Sequence, residues 1–284
     1  TPLYSSAASD VYKRQALKEM NLRFLLGALI SIPLLPLMYY QGKRIRASVP
    51  KLPEAKGLAG SFQINEKKER PIKIISIAES TIAGVGVETH EEGFTGTLAK
   101  EISKLFDFNV DWRVYARRGY TAKRVEYKLI SKISECRADL IIVGLGGNDA
   151  FTLNRPTKWK NEIDSLIKSI KTKFPGTVII FCNMPPIKEF PAFTSLIKFI
   201  VGNLVEILGE ELKAVATGHE NVFYFGDKIT LSGWIEKFQL KIKKEDFFSD
   251  GMHPSKLTYQ IWAKYIAREI FRTEKIKNAL QQSV

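Results

Sequence analysis

With 284 residues, 45% of them hydrophobic, the chain has enough apolar content for one substantial core and lacks the low-hydrophobicity signature of disorder. Its formal charge of +13 is unevenly spread, since residues 1–70 hold 12 Lys+Arg against 5 Asp+Glu. That bias reads as juxtamembrane charge, with a solvated basic surface as the plainer alternative, and nucleic acid is disfavoured as a partner because no basic stripe is interleaved with aromatics.

Residues 1–15, "TPLYSSAASDVYKRQ", read as translated adaptor sequence, and 1–19 as a whole are set aside from the fold argument. Met20 then reads as the start. The uncharged stretch from Phe24 to Gly42 is 19 residues long. At about 1.5 Å per helical residue it just crosses a bilayer core of roughly 30 Å, and membranes tolerate kinking residues such as Pro33 and Pro36. A cleaved signal peptide is the alternative. No small-x-small site follows promptly, however, and Lys43, Arg44 and Arg46 oppose translocation of that flank. The expectation is an uncleaved anchor over 20–42 with the main domain on the cytoplasmic side. Residues 43–70, rich in Pro, Gly and charge, form a basic linker, and 71–284 the folded domain.

From Pro71 onward, apolar β-rich runs alternate with amphipathic helical ones. Strands are predicted at 72–79, 109–116, 138–146, 177–184 and 221–226, and helices at 93–106, 121–135, 157–173, 194–217 and 254–273. Near-continuous apolar runs such as "LIIVGL" belong to strands buried on both faces. The expected fold is therefore α/β: a three-layer α/β/α sandwich around a five-stranded parallel sheet. Ligands in such sheets sit outside the carboxyl ends of the strands. Ser80, Gly119, Asn148 and the segment "DGMHPS" all fall at that edge.

Serine hydrolysis needs a nucleophile, a base, a group that orients the base and donors for the oxyanion. Only three histidines are available. His219 precedes the fifth strand, at the opposite edge. His90 sits in "VETHEEGF" and reads as exposed loop or helix entry. His253 remains, with Asp250 three residues before it, a spacing that lets the carboxylate bond Nδ1 while Nε2 faces a serine. Taken singly, each residue has an ordinary reading. Ser80 would cap a helix or sit in a turn, Asn148-Asp149 would be a loop, Gly119 a positive-φ position, and Asp250-Gly251 a turn before a helix opened by Pro254. Together, at one edge and in this order, they point to catalysis. Cys182 reads as buried and reduced, far from Cys136, and neither a disulfide framework nor metal-ligand spacing nor a cofactor motif is present.

"AESTIAGVGV", "ARRGYTA", "GGND" and "DGMHPS" resemble the four blocks of the SGNH or GDSL hydrolases, in family order, over roughly Ile72 to Phe271. The last block is the most specific. The resemblance implies a flavodoxin-like fold and a metal-independent serine esterase. In it Ser80 is the nucleophile, His253 the base, Asp250 its orienting acid, and the oxyanion hole consists of the N–H groups of Ser80 and Gly119 with the side-chain amide of Asn148. Where the family usually has Gly-Asp-Ser, this chain has Ala78-Glu79-Ser80, which bears on the shape of the turn. The expected partner is a small-molecule ester, lipid-like or short-chain. Phe190, Phe193, Phe199 and Ile200 are candidates for an acyl wall or lid, and the aromatic and Lys-rich 231–248 for a cover. A carbohydrate O-deacetylase is the rival enzyme. A catalytically silent, membrane-tethered binding protein is the rival of another class.

Overall fold

The computed structural model describes residues 22–64 and 70–283, so the adaptor-like segment and leader at 1–19 lie outside the described residues. Six strands form one sheet: β1 (Ala59–Phe62), β2 (Ile72–Ala78), β3 (Val110–Ala116), β4 (Leu140–Gly144), β5 (Val178–Phe181) and β6 (Val222–Tyr224), in the order β1-β3-β2-β4-β5-β6. The five expected strands are parallel, and their order is that of the flavodoxin-like sheet. The sixth, β1, was expected to be linker. It adds antiparallel to β3 at the sheet edge.

Side chains alternate between two cores. Ile75, Ile77, Ile141, Val143 and Phe181 enter one, and Ile74, Ala78, Leu140, Ile142 and Ile180 the other. Full burial of such a side chain contributes about 1.5–3 kcal/mol, so a one-residue slip of any central strand is excluded energetically. The first core is covered by α3 (Ala122–Lys128), α5 (Pro156–Lys173) and α6 (Ser195–Thr217), the second by α2 (Phe94–Phe106) and α8 (Lys256–Arg272). Short helices α4 (Gly147–Phe151) and α7 (Leu231–Lys237) lie in the connections, and α9 (Glu274–Gln281) follows α8. The helix expected to reach 135 stops at Lys128. A 3₁₀ turn over Ile130–Lys132 follows, and it brings Ile130 and Ile133 into the first core.

Before β1 a single helix, α1 (Leu22–Ser48), contains Pro33 and Pro36 and continues six residues past Gly42. From Arg23 to Ser48 it is long and apolar enough to cross a membrane. It lies along α6: Arg23 pairs with Glu210, the Thr194 hydroxyl donates to Gln41 Oε1 at 2.6 Å, and Phe24, Met38 and Ile45 pack against the first core. Its other side exposes Leu26, Leu29, Ile30 and Ile32. Both cysteines are free, Cys182 buried and Cys136 exposed.

Candidate active site

Register brings the site together. Ala78 at the end of β2 pairs with Ala116 on one side and Gly144 on the other, so three strands end level. Two further backbone bonds extend the alignment, Glu79 N–H to Gly144 O at 3.2 Å and Arg117 N–H to Ala78 O at 3.1 Å. Ser80, Gly119 and Asn148 then follow within four residues of a strand end.

After Ala78 the chain turns, and the N–H groups of Ile82 and Ala83 both donate to Glu79 O, at 3.2 and 3.0 Å. No helix begins there. The next one, α2, opens at Phe94 with Gly93 as its N-cap, so helix capping is not the role of Ser80. Ser80 is half-buried, and its hydroxyl makes no hydrogen bond to any described residue, His253 included. Hydrogen bonds between a nucleophile and its base often tighten only around a bound substrate.

The Gly119 turn is closed by Tyr120 N–H donating to Arg117 O at 3.4 Å, and Gly119 occupies its third position with φ of 76°. A glycine takes that left-handed backbone without the cost a Cβ imposes. Gly119 is exposed, and its N–H has no partner among the described residues. Asn148 Nδ2 donates to Tyr120 O at 3.1 Å, which ties the two turns together. Behind it Asp149 is buried, accepting from Ala122 N–H at 3.0 Å and Asn154 Nδ2 at 3.2 Å. Burial dominates and pushes its carboxyl up to about 6.

Glu79, the departure from the family pattern, points inward. Its Oε1 accepts from Gly147 N–H at 2.8 Å and its Oε2 from Asn148 N–H at 2.9 Å, so the longer side chain reaches across from β2 and grips the turn that carries Asn148. Burial pushes the group up to about 7, against the lowering effect of those two bonds.

His253 Nδ1 lies 2.7 Å from Asp250 Oδ2. The other carboxylate oxygen, Oδ1, accepts from the N–H groups of His253 at 2.7 Å and Met252 at 2.9 Å. Burial raises Asp250, but those bonds outweigh it and hold the carboxyl below its ordinary range. Burial lowers His253, and Arg118 adds to this, against the raising effect of Asp250; the net position is below the usual imidazole value. The ring is therefore neutral near pH 7, as a general base must be. This segment is fastened to the turn after Ser80 by Tyr259 OH donating to Val85 O at 2.9 Å.

Glu79 and Thr81, on either side of Ser80, line a cleft together with Pro254, next to His253. Its remaining walls are mostly apolar, among them Met184, Pro185, Phe190, Trp234, Phe248 and Trp262. Of the four side chains expected as an acyl wall, only Phe190 lines it. Phe193 stacks behind Phe190 with ring centroids 5.5 Å apart, Phe199 is exposed, and Ile200 is buried elsewhere. From 231–248 the cleft draws Leu231, Trp234 and Phe248.

The sequence model of the GDSL-like Lipase/Acylhydrolase family matches residues 79–261, a span holding Ser80, Gly119, Asn148, Asp250 and His253. The chain belongs to this family. As a GDSL-type hydrolase it shares its fold with a lipase from a goat rumen metagenome (14% identity, 69% of this chain and 96% of the other, TM-score 0.51). Similar likenesses link it to a lipolytic G-D-S-L protein from Veillonella parvula (20% identity, 71% and 99%, 0.50) and to a phospholipase A1 from Streptomyces albidoflavus (13%, 70% and 99%, 0.50). No curated protein matches the sequence.

The other two histidines of this GDSL-type hydrolase stand apart from the dyad. His219 pairs with Asp164 at 2.8 Å. His90, expected to be exposed, is buried, because residues 54–56 cross over it and its N–H donates to Lys56 O at 2.8 Å. Burial lowers it to about 4, against the opposing field of Glu54. Glu54 itself was missed. Its only sequence signal is a lone acid in "PKLPEAKG", a stretch with every mark of a linker.

Proposed function

We propose that this hydrolase cleaves a carboxylic ester through an acyl-enzyme on Ser80. His253 takes the hydroxyl proton as Ser80 Oγ attacks the carbonyl carbon. The N–H groups of Ser80 and Gly119 and the amide of Asn148 stabilise the tetrahedral oxyanion, and collapse expels the alcohol with the proton returned by His253. Water then attacks the acyl carbon, His253 takes its proton, and the acid leaves as Ser80 regains a hydrogen. Asp250 fixes the tautomer and stabilises the transient imidazolium. The observation that carries this reading is the 2.7 Å Asp250–His253 bond beside the cleft that also receives the neighbours of Ser80. The test is hydrolysis of p-nitrophenyl acetate: Ser80→Ala should abolish it, and an undiminished rate in that variant refutes the assignment.

The apolar lining of the cleft supports an acyl chain, lipid-like or short, over a sugar acetate, whose acyl group needs little apolar surface. For the rest of the chain the reading is an uncleaved anchor at 20–42, a connection at 43–70 whose later part adds β1 to the sheet, and a hydrolase domain at 71–284, with Lys43, Arg44 and Arg46 holding the domain on the cytoplasmic side. The contacts of α1 include one exposed ion pair, worth about 0–1 kcal/mol, the Thr194–Gln41 bond and the packing of Phe24, Met38 and Ile45, while its exposed Leu26, Leu29, Ile30 and Ile32 favour burial in lipid. Carbonate extraction of membranes together with a reporter fusion at the carboxyl terminus tests both statements. Release of the protein by carbonate, or a reporter on the far side, contradicts them.

A further inference from the structure

The segment between α1 and β1 crosses the carboxyl edge of the sheet and lies outside the family-matched residues 79–261. Ala55 N–H donates to Ala83 O at 3.1 Å and Lys56 N–H to Glu88 O at 2.9 Å, fixing the strap to the turns that follow Ser80. The packing is close: a Cβ on Gly84 would stand 2.5 Å from Ala55 Cβ, so only glycine fits there. From this strap Glu54 reaches the neighbouring turn. Its Oε1 accepts from Arg118 N–H at 2.9 Å, and its Oε2 accepts from Arg117 Nη1 at 3.3 Å.

We propose that Glu54 is a positioning residue for the reaction: by holding the N–H of Arg118, it orients the turn that presents the N–H of Gly119. The inference rests on Gly119 being an oxyanion donor, as proposed above. Gly119 is exposed, and a Cβ built on it would meet nothing within 4 Å, so no side chain packs against this position to fix it. Besides the strand-end bond of Arg117 and the bond from Asn148 to Tyr120 O, the restraint on its first half is the carboxylate of Glu54. An oxyanion donor acts only when aimed in advance, and a misplacement of about 1 Å costs up to about 10²-fold in rate. The same strap bonds the turns on both sides of the reacting carbonyl. It therefore sets the spacing between the nucleophile and one of its donors.

The experiment is steady-state hydrolysis of p-nitrophenyl esters by the full chain in detergent, with kcat and KM resolved, for Glu54→Ala, Glu54→Gln, Arg117→Met and Ser80→Ala. Glu54→Ala should lower kcat about 10-fold with KM within about twofold of wild type. Glu54→Gln should recover to within about threefold, because its carbonyl still accepts the Arg118 N–H. Arg117→Met should stay near wild type, since the ion pair is not what aims the turn. Wild-type kcat in Glu54→Ala, or equal losses in the Ala and Gln variants that follow their thermal midpoints, overturns the proposal. A Ser80→Ala variant that keeps its rate instead overturns the catalytic reading beneath it, so the two failures are told apart.

Discussion

The two turns proposed to offer donors to the oxyanion are held in opposite ways. The Asn148 turn is gripped from inside by Glu79, a buried carboxylate bonded to two successive backbone N–H groups and pushed up to about 7 by its surroundings. The Gly119 turn is held at the surface by Glu54, whose side chain is 30% exposed. Desolvation strengthens a hydrogen bond and raises the cost of losing it, so the inner grip should matter more for both rate and stability than the outer one. The inner grip titrates near neutrality. Ionised, Glu79 accepts both N–H groups; protonated, one of its oxygens becomes a donor facing a donor.

Between the two turns, the largest effect expected is from Asn148→Ala, about 10²–10³-fold in kcat with the fold intact, which is the cost of one oxyanion donor. A loss no greater than that of Glu54→Ala would break the comparison, because the better-held donor would then contribute no more than the exposed one. Next comes Glu79→Gln, which leaves the Asn148 side chain in place but misaims it, and which should cost about 10-fold or more in kcat. Its pH profile sharpens the point. In wild type, kcat/KM should rise through two ionisations, His253 below its ordinary 6.5 and Glu79 near 7. In Glu79→Gln only the lower limb should remain, and an unchanged profile would detach Glu79 from the site.

Stability should move the other way. Glu79 titrates higher in the folded chain than the ordinary glutamate value of 4.5, so its contribution is full below that value and is lost as pH rises towards 7. The shift corresponds to roughly 3 kcal/mol between pH 4 and pH 8. Asp149 acts with the same sign, and Asp250, held low, with the opposite one, lost as pH falls. Denaturant melts at the two pH values should show the Glu79 share removed in Glu79→Gln. The smallest effect is expected from Gly119→Ala at the surface turn, where a Cβ meets no neighbour and only backbone strain of about 1–2 kcal/mol opposes it. A much larger loss of stability would mean that this turn is more tightly packed than the inner one.

The parallel core was legible because its residues declare themselves locally: "LIIVGL" and its counterparts are apolar over whole strands, and the residues after them fall at one edge by topology alone. The Asp250–His253 pair was legible because three residues of sequence fix its geometry. What escaped was built by tertiary contact. β1 is "AGSF", in which only Phe62 favours a strand, and it forms because the free edge of β3 accepts its backbone. His90 looked exposed among its glutamates, yet a strap more than thirty residues earlier covers it. Glu79 stood out as a departure from the family pattern, but its direction could not be read, since reaching Gly147 and Asn148 depends on two strands ending level.

The proposed chemistry turns on Ser80 as the nucleophile. Labelling by a fluorophosphonate probe, read by mass spectrometry of the modified peptide, tests it most directly. One phosphonyl group per chain on Ser80 in wild type, and none in Ser80→Ala, is the predicted result. Well-folded wild-type protein that resists the probe, or a Ser80→Ala variant that takes it up equally, would contradict the assignment.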